Sequence, residues 1–213
     1  MEANWYEELV AENTIYHLGE SHCLSYAHRK VKIQGIDYTI SPKIIFGAKA
    51  FHFAREASDK YKAITAAHFV SLPKGSNVFL SFGEIDCRPD EGFMSAAAKY
   101  KKSIESLIND TVRGYLNWFC DQNAKKNHNL FFFNIPAPFY DEKYSTEVNN
   151  QVVNTVRLFN LTLEKRIVDL DFKIIDVFRF TVGNNGFSNG LFHIDKRHLA
   201  SNAITEIEKQ ICG

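Results

Sequence analysis

The chain has 213 residues, 45% hydrophobic and 23% charged, with 25 Lys plus Arg balancing 25 Asp plus Glu. That length suits one sizeable domain with a continuous core, and the neutral balance speaks against a nucleic-acid groove or an anionic membrane surface. Cys23, Cys87, Cys120 and Cys212 are far apart with no Cys-x-x-Cys pair, so neither a zinc knuckle nor a disulfide framework is indicated. The first eight residues are acidic where a signal peptide would be basic, and no apolar run approaches a membrane span. The expectation is a cytoplasmic protein forming a single domain over residues 1–213.

In chain order, Asn4 to Glu12 reads as a short amphipathic helix. Ile15 to Leu18 has the length of a buried strand and stops at Gly19, followed directly by Glu20, Ser21 and His22. A strand thus delivers a serine to its carboxyl end, either for chemistry or to cap the segment Cys23 to His28. Val31 to Tyr38 reads as a second strand, Ser41-Pro42 as a turn, and Ile44 to Phe46 as a short apolar run ending at Gly47. Ala48 to Tyr61 reads as a helix and Asn77 to Phe82 as a strand, ending in Gly83-Glu84-Ile85-Asp86-Cys87-Arg88. Ile104, Ile108, Val112, Tyr115 and Phe119 recur at helical intervals, and Leu130 to Ile135 is another buried strand, closed by Pro136 and Pro138. Ser145 or Thr146 caps a helix whose stripe runs Val148, Val152, Val156, Phe159, Leu163, Ile167 and Leu170. Phe172 to Phe178 reads as the last strand. A glycine- and asparagine-rich loop, Gly183 to Gly190, then leads through Asp195 and His198 into a final helix with Ala200, Ile204, Ile207 and Ile211 inward. Phe187 and Phe192 in this region either shape a pocket or belong to a solvated turn.

Strands alternating with helices predict an α/β protein: a three-layer α/β/α sandwich with a mainly parallel, flavodoxin-like central sheet. Right-handed crossovers place the ends after Leu18, Phe46, Phe82 and Ile135 along one edge, where Ser21, Gly47 and the Gly83–Arg88 block collect.

Asp195 and His198 stand three residues apart at a helix entry. At that spacing the carboxylate can accept from one ring nitrogen while the other faces a serine, the order of nucleophile, base and orienting acid that a weakly acidic hydroxyl needs. The alternative is a helix cap beside a surface histidine. Glu84, Asp86 and Arg88 are close enough for an ion-pair network, which either braces its loop or meets substrate. His22, His28, His193 and His198 show no His-x-x-x-His spacing, so no metal is expected.

Gly19-Glu20-Ser21-His22 resembles the Gly-Asp-Ser block of the SGNH (GDSL-like) hydrolases. Gly47 after a strand is similar to their second block, Gly83-Glu84-Ile85-Asp86 falls where the third, Gly-x-Asn-Asp, lies, and Asp195-x-x-His198-Leu199 matches the last. The Gly-Glu-Ile-Asp-Cys-Arg form is similar to a bacterial subgroup associated with polysaccharide and surface-glycan proteins. The resemblance implies Ser21 as nucleophile, His198 as general base and Asp195 as its orienting acid. The amides of Ser21 and Gly47 would bind the oxyanion, with Arg88, Glu84 and Asp86 near the substrate and no cofactor. Glu20 replaces the family aspartate, and Ile85 replaces the asparagine that supplies a side-chain donor.

The function so implied is hydrolysis or transfer of a small, acetyl-like ester, on a carbohydrate substrate, through an acyl-enzyme on Ser21. A non-catalytic glycan-binding or scaffolding module, suggested by Ile85, is the alternative; a flavodoxin-like cofactor binder is a more distant one.

Overall fold

The computed structural model describes residues 13–170 and 172–212. The expected helix over Asn4 to Glu12 lies outside the described residues. Six strands form one sheet in the order β2-β3-β1-β4-β5-β6: β1 Thr14–Gly19, β2 Lys30–Ile33, β3 Ile36–Ile44, β4 Asn77–Ser81, β5 Asn129–Phe133 and β6 Lys173–Ile175. All neighbours pair in parallel except β2 with β3. The five parallel strands carry the flavodoxin-like order. The chain leaves β1 for β3 on one side and returns to β4 on the other, so the end of β1 is a topological switch point.

Alternation along the strands builds the layers, because successive side chains point to opposite faces. Tyr16, Leu18, Val78, Leu80, Leu130 and Phe132 face one core. Helices α1 Ala50–Ala54, α2 Lys60–Ser71, α4 Ile104–Asn123 and α5 Thr146–Ile167 contribute to it through Phe53, Phe69, Phe119 and Phe159. Ile15, Ile40, Phe79, Phe131, Phe133 and Ile175 face a second core, completed by Val177 of α6 Val177–Thr181 and Ile207 of α7 Ile204–Cys212. Ser145 caps α5 by accepting from the Val148 N–H, and Ser103 caps α4 from Ser106.

Four expectations are corrected. The single strand over 31–38 is a hairpin, turned at Gln34 and Gly35 with φ of 51° and 82°. Such a turn needs positive φ at both residues, and Gln-Gly is a weaker signal for it than Asn-Gly. Ser41-Pro42 lies inside β3 rather than in a turn. Ile40 N–H bonds to Arg29 on the β2 side, so the nitrogen of Pro42, two residues on, points past the end of β2, where no ladder bond is lost. The helix over 48–61 is two helices, because Asp59 accepts from the N–H groups of Tyr61 and Lys62 and starts α2 afresh. The last strand ends at Ile175, where Asp176 caps α6 by accepting from Arg179. A further helix, α3 Phe93–Tyr100, follows the 3-10 turn Ile85–Cys87.

Candidate active site

The carboxyl ends of β1, β3 and β4 meet where the backbone passes closely. A Cβ on Gly19 would stand 2.2 Å from Ser81 Oγ, so only glycine lets β1 turn here. The next residues form a 3-10 turn, Ser21–Leu24, started by the Glu20 side chain accepting from the His22 N–H. This lifts Ser21 out of the sheet.

His198 arrives from the other end of the chain. Asp195 Oδ1 accepts from the N–H groups of Arg197 and His198, both at 2.7 Å, and Ile194 N–H donates to the His198 carbonyl. This tight loop aims the ring. His198 Nε2 lies 2.8 Å from Ser21 Oγ, and His198 Nδ1 lies 2.7 Å from Asp195 Oδ2. Burial opposes ionisation of Asp195, but hydrogen bonds from the His198 backbone and ring and from Arg197 hold its carboxyl at about 2. An ionised carboxylate can only accept, so Nδ1 carries the proton and the Nε2 lone pair is left for the serine.

The same hydroxyl also donates to Glu20 Oε2 at 2.8 Å. One proton therefore has two acceptors within reach. Glu20 is buried and ion-paired with His22; burial raises its carboxyl, but the His22 charge and hydrogen bonds from His22 and Ser21 bring it below the usual range. The reciprocal effect falls on the histidine. Burial lowers His22, while the Glu20 charge and hydrogen bond carry it up to about 9. His17 beneath them, hydrogen-bonded to Ser81 Oγ, is held neutral at about 3 by burial and then by the His22 charge.

Gly47 follows β3, which is tied to β1 by the Ile45 N–H donating to the Gly19 carbonyl at 2.7 Å. Its φ of 73° lies in the left-handed region that favours glycine. The amides of Ser21 and Gly47 donate to no acceptor among the described residues.

The Glu84–Asp86–Arg88 expectation divides. Arg88 Nε and NH2 donate to both oxygens of Glu84, and NH1 donates to Glu91. Asp86 is not part of that network. It is buried, and its oxygens accept from the Ala50 and Phe51 N–H groups at 2.7 and 3.0 Å, which fixes the start of α1 just beyond Gly47. Burial pushes its carboxyl up to about 7 despite those amides. Ile85 is buried, and its side chain can donate nothing.

Glu84, Arg88, Lys196 and Arg197 border a cavity of about 200 Å³ floored by Ile135, Pro138, Phe139 and Val156. Phe192 packs edge-on to Phe180 against the second core. Glu20, His22 and Glu84 bring ligand atoms within 4.8 Å of one another. The set suits a cation poorly, since both His22 nitrogens are engaged and Arg88 and Arg197 already face Glu84. The parts the sequence reading missed are the partners of His22 and the contacts of Lys196 and Arg197. No local pattern could signal bonds between residues 175 positions apart.

No protein-family model and no curated protein sequence matches this chain. Solved structures do. A Streptococcus pneumonia protein described as a platelet activating factor superposes with a TM-score of 0.64 at 17% identity, over 95% of this chain and 83% of that one. A GDSL-like lipase from Bacteroides thetaiotaomicron gives 0.60 at 11% identity over 94% and 86%, and the acetyl xylan esterase AlAXEase 0.55 at 14% over 93% and 97%. The fold is thus the three-layer α/β/α sandwich shared with GDSL-like lipases and esterases.

Proposed function

We propose that this protein is a serine esterase acting on small acyl esters, with Ser21 as nucleophile, His198 as general base and Asp195 as the acid that orients it. The supporting observation is the unbroken row Ser21 Oγ, His198 Nε2, His198 Nδ1, Asp195 Oδ2. His198 takes the Ser21 proton as Oγ bonds to the ester carbonyl carbon. The carbonyl oxygen becomes an oxyanion facing the Ser21 and Gly47 amides. Collapse of this intermediate breaks the bond to the alkoxy oxygen, which leaves with the proton from His198. Water, deprotonated by the same imidazole, then attacks the acyl-enzyme and restores Ser21; a sugar hydroxyl taking the place of water would make the reaction a transfer. Losing one oxyanion donor typically costs about 10²- to 10³-fold, so Ile85 points to a modest turnover. The acetyl xylan esterase among the similar folds and the charged groups Glu84, Arg88, Lys196 and Arg197 on the cavity favour an acetylated carbohydrate.

The test is turnover of an aryl acetate, with and without Ser21→Ala, together with labelling by a fluorophosphonate. The variant is expected to lose about 10³-fold or more in kcat and all labelling. Equal rates for the two proteins would remove Ser21 from the mechanism and leave the non-catalytic module that Ile85 suggests.

A further inference from the structure

We propose that His22 is a positioning residue for this site: as an imidazolium it grips the Arg197 carbonyl, and so keeps the Asp195–His198 loop and the His198 ring on Ser21. The inference rests on the acyl-enzyme reading above. It begins with two hydrogen bonds. His22 Nδ1 meets the Glu20 carboxylate, and Nε2 lies 2.9 Å from the Arg197 carbonyl oxygen. A carbonyl oxygen only accepts, and so does an ionised carboxylate, so both nitrogens must carry hydrogen. The ring is buried, and a charge there persists only when it is paired and hydrogen-bonded.

The contact joins the turn after β1 to the loop before α7, bridging 175 positions beside the serine–histidine bond. The loop's ion pairs to the rest of the chain, Lys196 to Asp141 and Arg197 to Glu84, are each 3.3 Å long and involve solvent-exposed cations, where such pairs contribute little. A charge-assisted bond shielded from water is the stronger restraint. The His22 and His198 rings are 5.1 Å apart, so a shift of one is felt by the other.

The groups facing His22 are Glu20 and Glu84, the neutral His17 and His193, His198, and the Arg197 main chain. Loss of its proton leaves Nδ1–H on the carboxylate and turns the Nε2 lone pair toward the Arg197 oxygen. Two lone pairs then oppose each other and the loop is released. Activity should therefore fall as pH rises through about 9, while below that the latch stays closed.

The experiment has three arms on the full chain. Nitrogen-15 NMR of the histidines at pH 7.5 should find His22 protonated on both nitrogens and losing one near pH 9; a neutral His22 at pH 7.5 overturns the proposal. His22→Phe should lower kcat on an aryl acetate by about 10- to 100-fold with KM changed less than about twofold, because the alignment of the base and, through the unpaired Glu20, of the serine hydroxyl is disturbed while the cavity walls are not. Wild-type kcat in that variant overturns it too. If His22→Phe does not fold, Glu20→Gln decides. Its amide can donate to Nδ1 of a neutral ring whose Nε2–H still holds Arg197, so the alkaline fall in kcat should vanish, and a fall that persists refutes the latch. Failure of the esterase reading itself looks different: the unaltered protein would take no fluorophosphonate label.

Discussion

At the scale of single residues, the candidate site depends on which nitrogen of which histidine carries a proton. His198 must keep Nδ1–H on Asp195 to leave Nε2 free, and an amide in place of that carboxylate can present its NH2 to Nδ1 and reverse the tautomer. Asp195→Asn should therefore cut kcat by about 10²- to 10⁴-fold, measured on an aryl acetate beside the unaltered protein, with little change in thermal stability because the loop is exposed. The Asp195 carboxyl lies below its unfolded value, so its stabilising interactions are complete above about pH 4 and disappear as pH falls toward 2. Two adjacent carboxylates, Glu20 and Asp195, thus act on opposite partners of one hydrogen bond. In the proposed reaction Glu20 competes for the serine proton, and Asp195 prepares the ring that receives it.

At the scale of elements, the site is assembled from strand ends that are held by caps. Asp86 follows β4 but acts on α1, three elements earlier in the chain, where its oxygens receive the Ala50 and Phe51 amides. Asp86→Ala should destabilise the protein by about 1–2 kcal/mol, read from urea unfolding, and also lower kcat, because the start of α1 sets the path of Gly47. Asp86→Asn keeps one acceptor and should fall between the two. The long helices α4 and α5 were legible in the sequence because an apolar side chain recurs every three or four residues and a serine stands at each start. The β2–β3 hairpin and the short helix α6 were not. An apolar run such as Ile174 to Phe178 has no period that separates a strand from a buried turn of helix, and only the cap at Asp176 decides it.

At the scale of the whole molecule, the switch point and the two cores determine where function can sit. Phe132 lies at the centre of the larger core, 5.4 Å from the ring of Tyr115 and 5.9 Å from that of Phe119. Phe132→Ala should lower stability by about 3–5 kcal/mol in denaturant titrations, with a large fall in midpoint, while the kcat of the protein that remains folded stays near wild type. The first strand and the last loop are far apart in sequence, so hydroxyl and imidazole meet only when the parallel sheet between them is complete.

By itself the sequence determined the layered α/β architecture, the strand that presents Ser21, the two long helices and the Asp195–His198 spacing. Each is written in local periodicity or in a motif a few residues long. Only the tertiary structure decided that β2 and β3 form a hairpin, that Asp86 braces α1, and that His22 binds the loop carrying His198. Those outcomes depend on which distant groups share a buried space, and a buried polar atom takes whatever partner the fold brings within hydrogen-bonding reach.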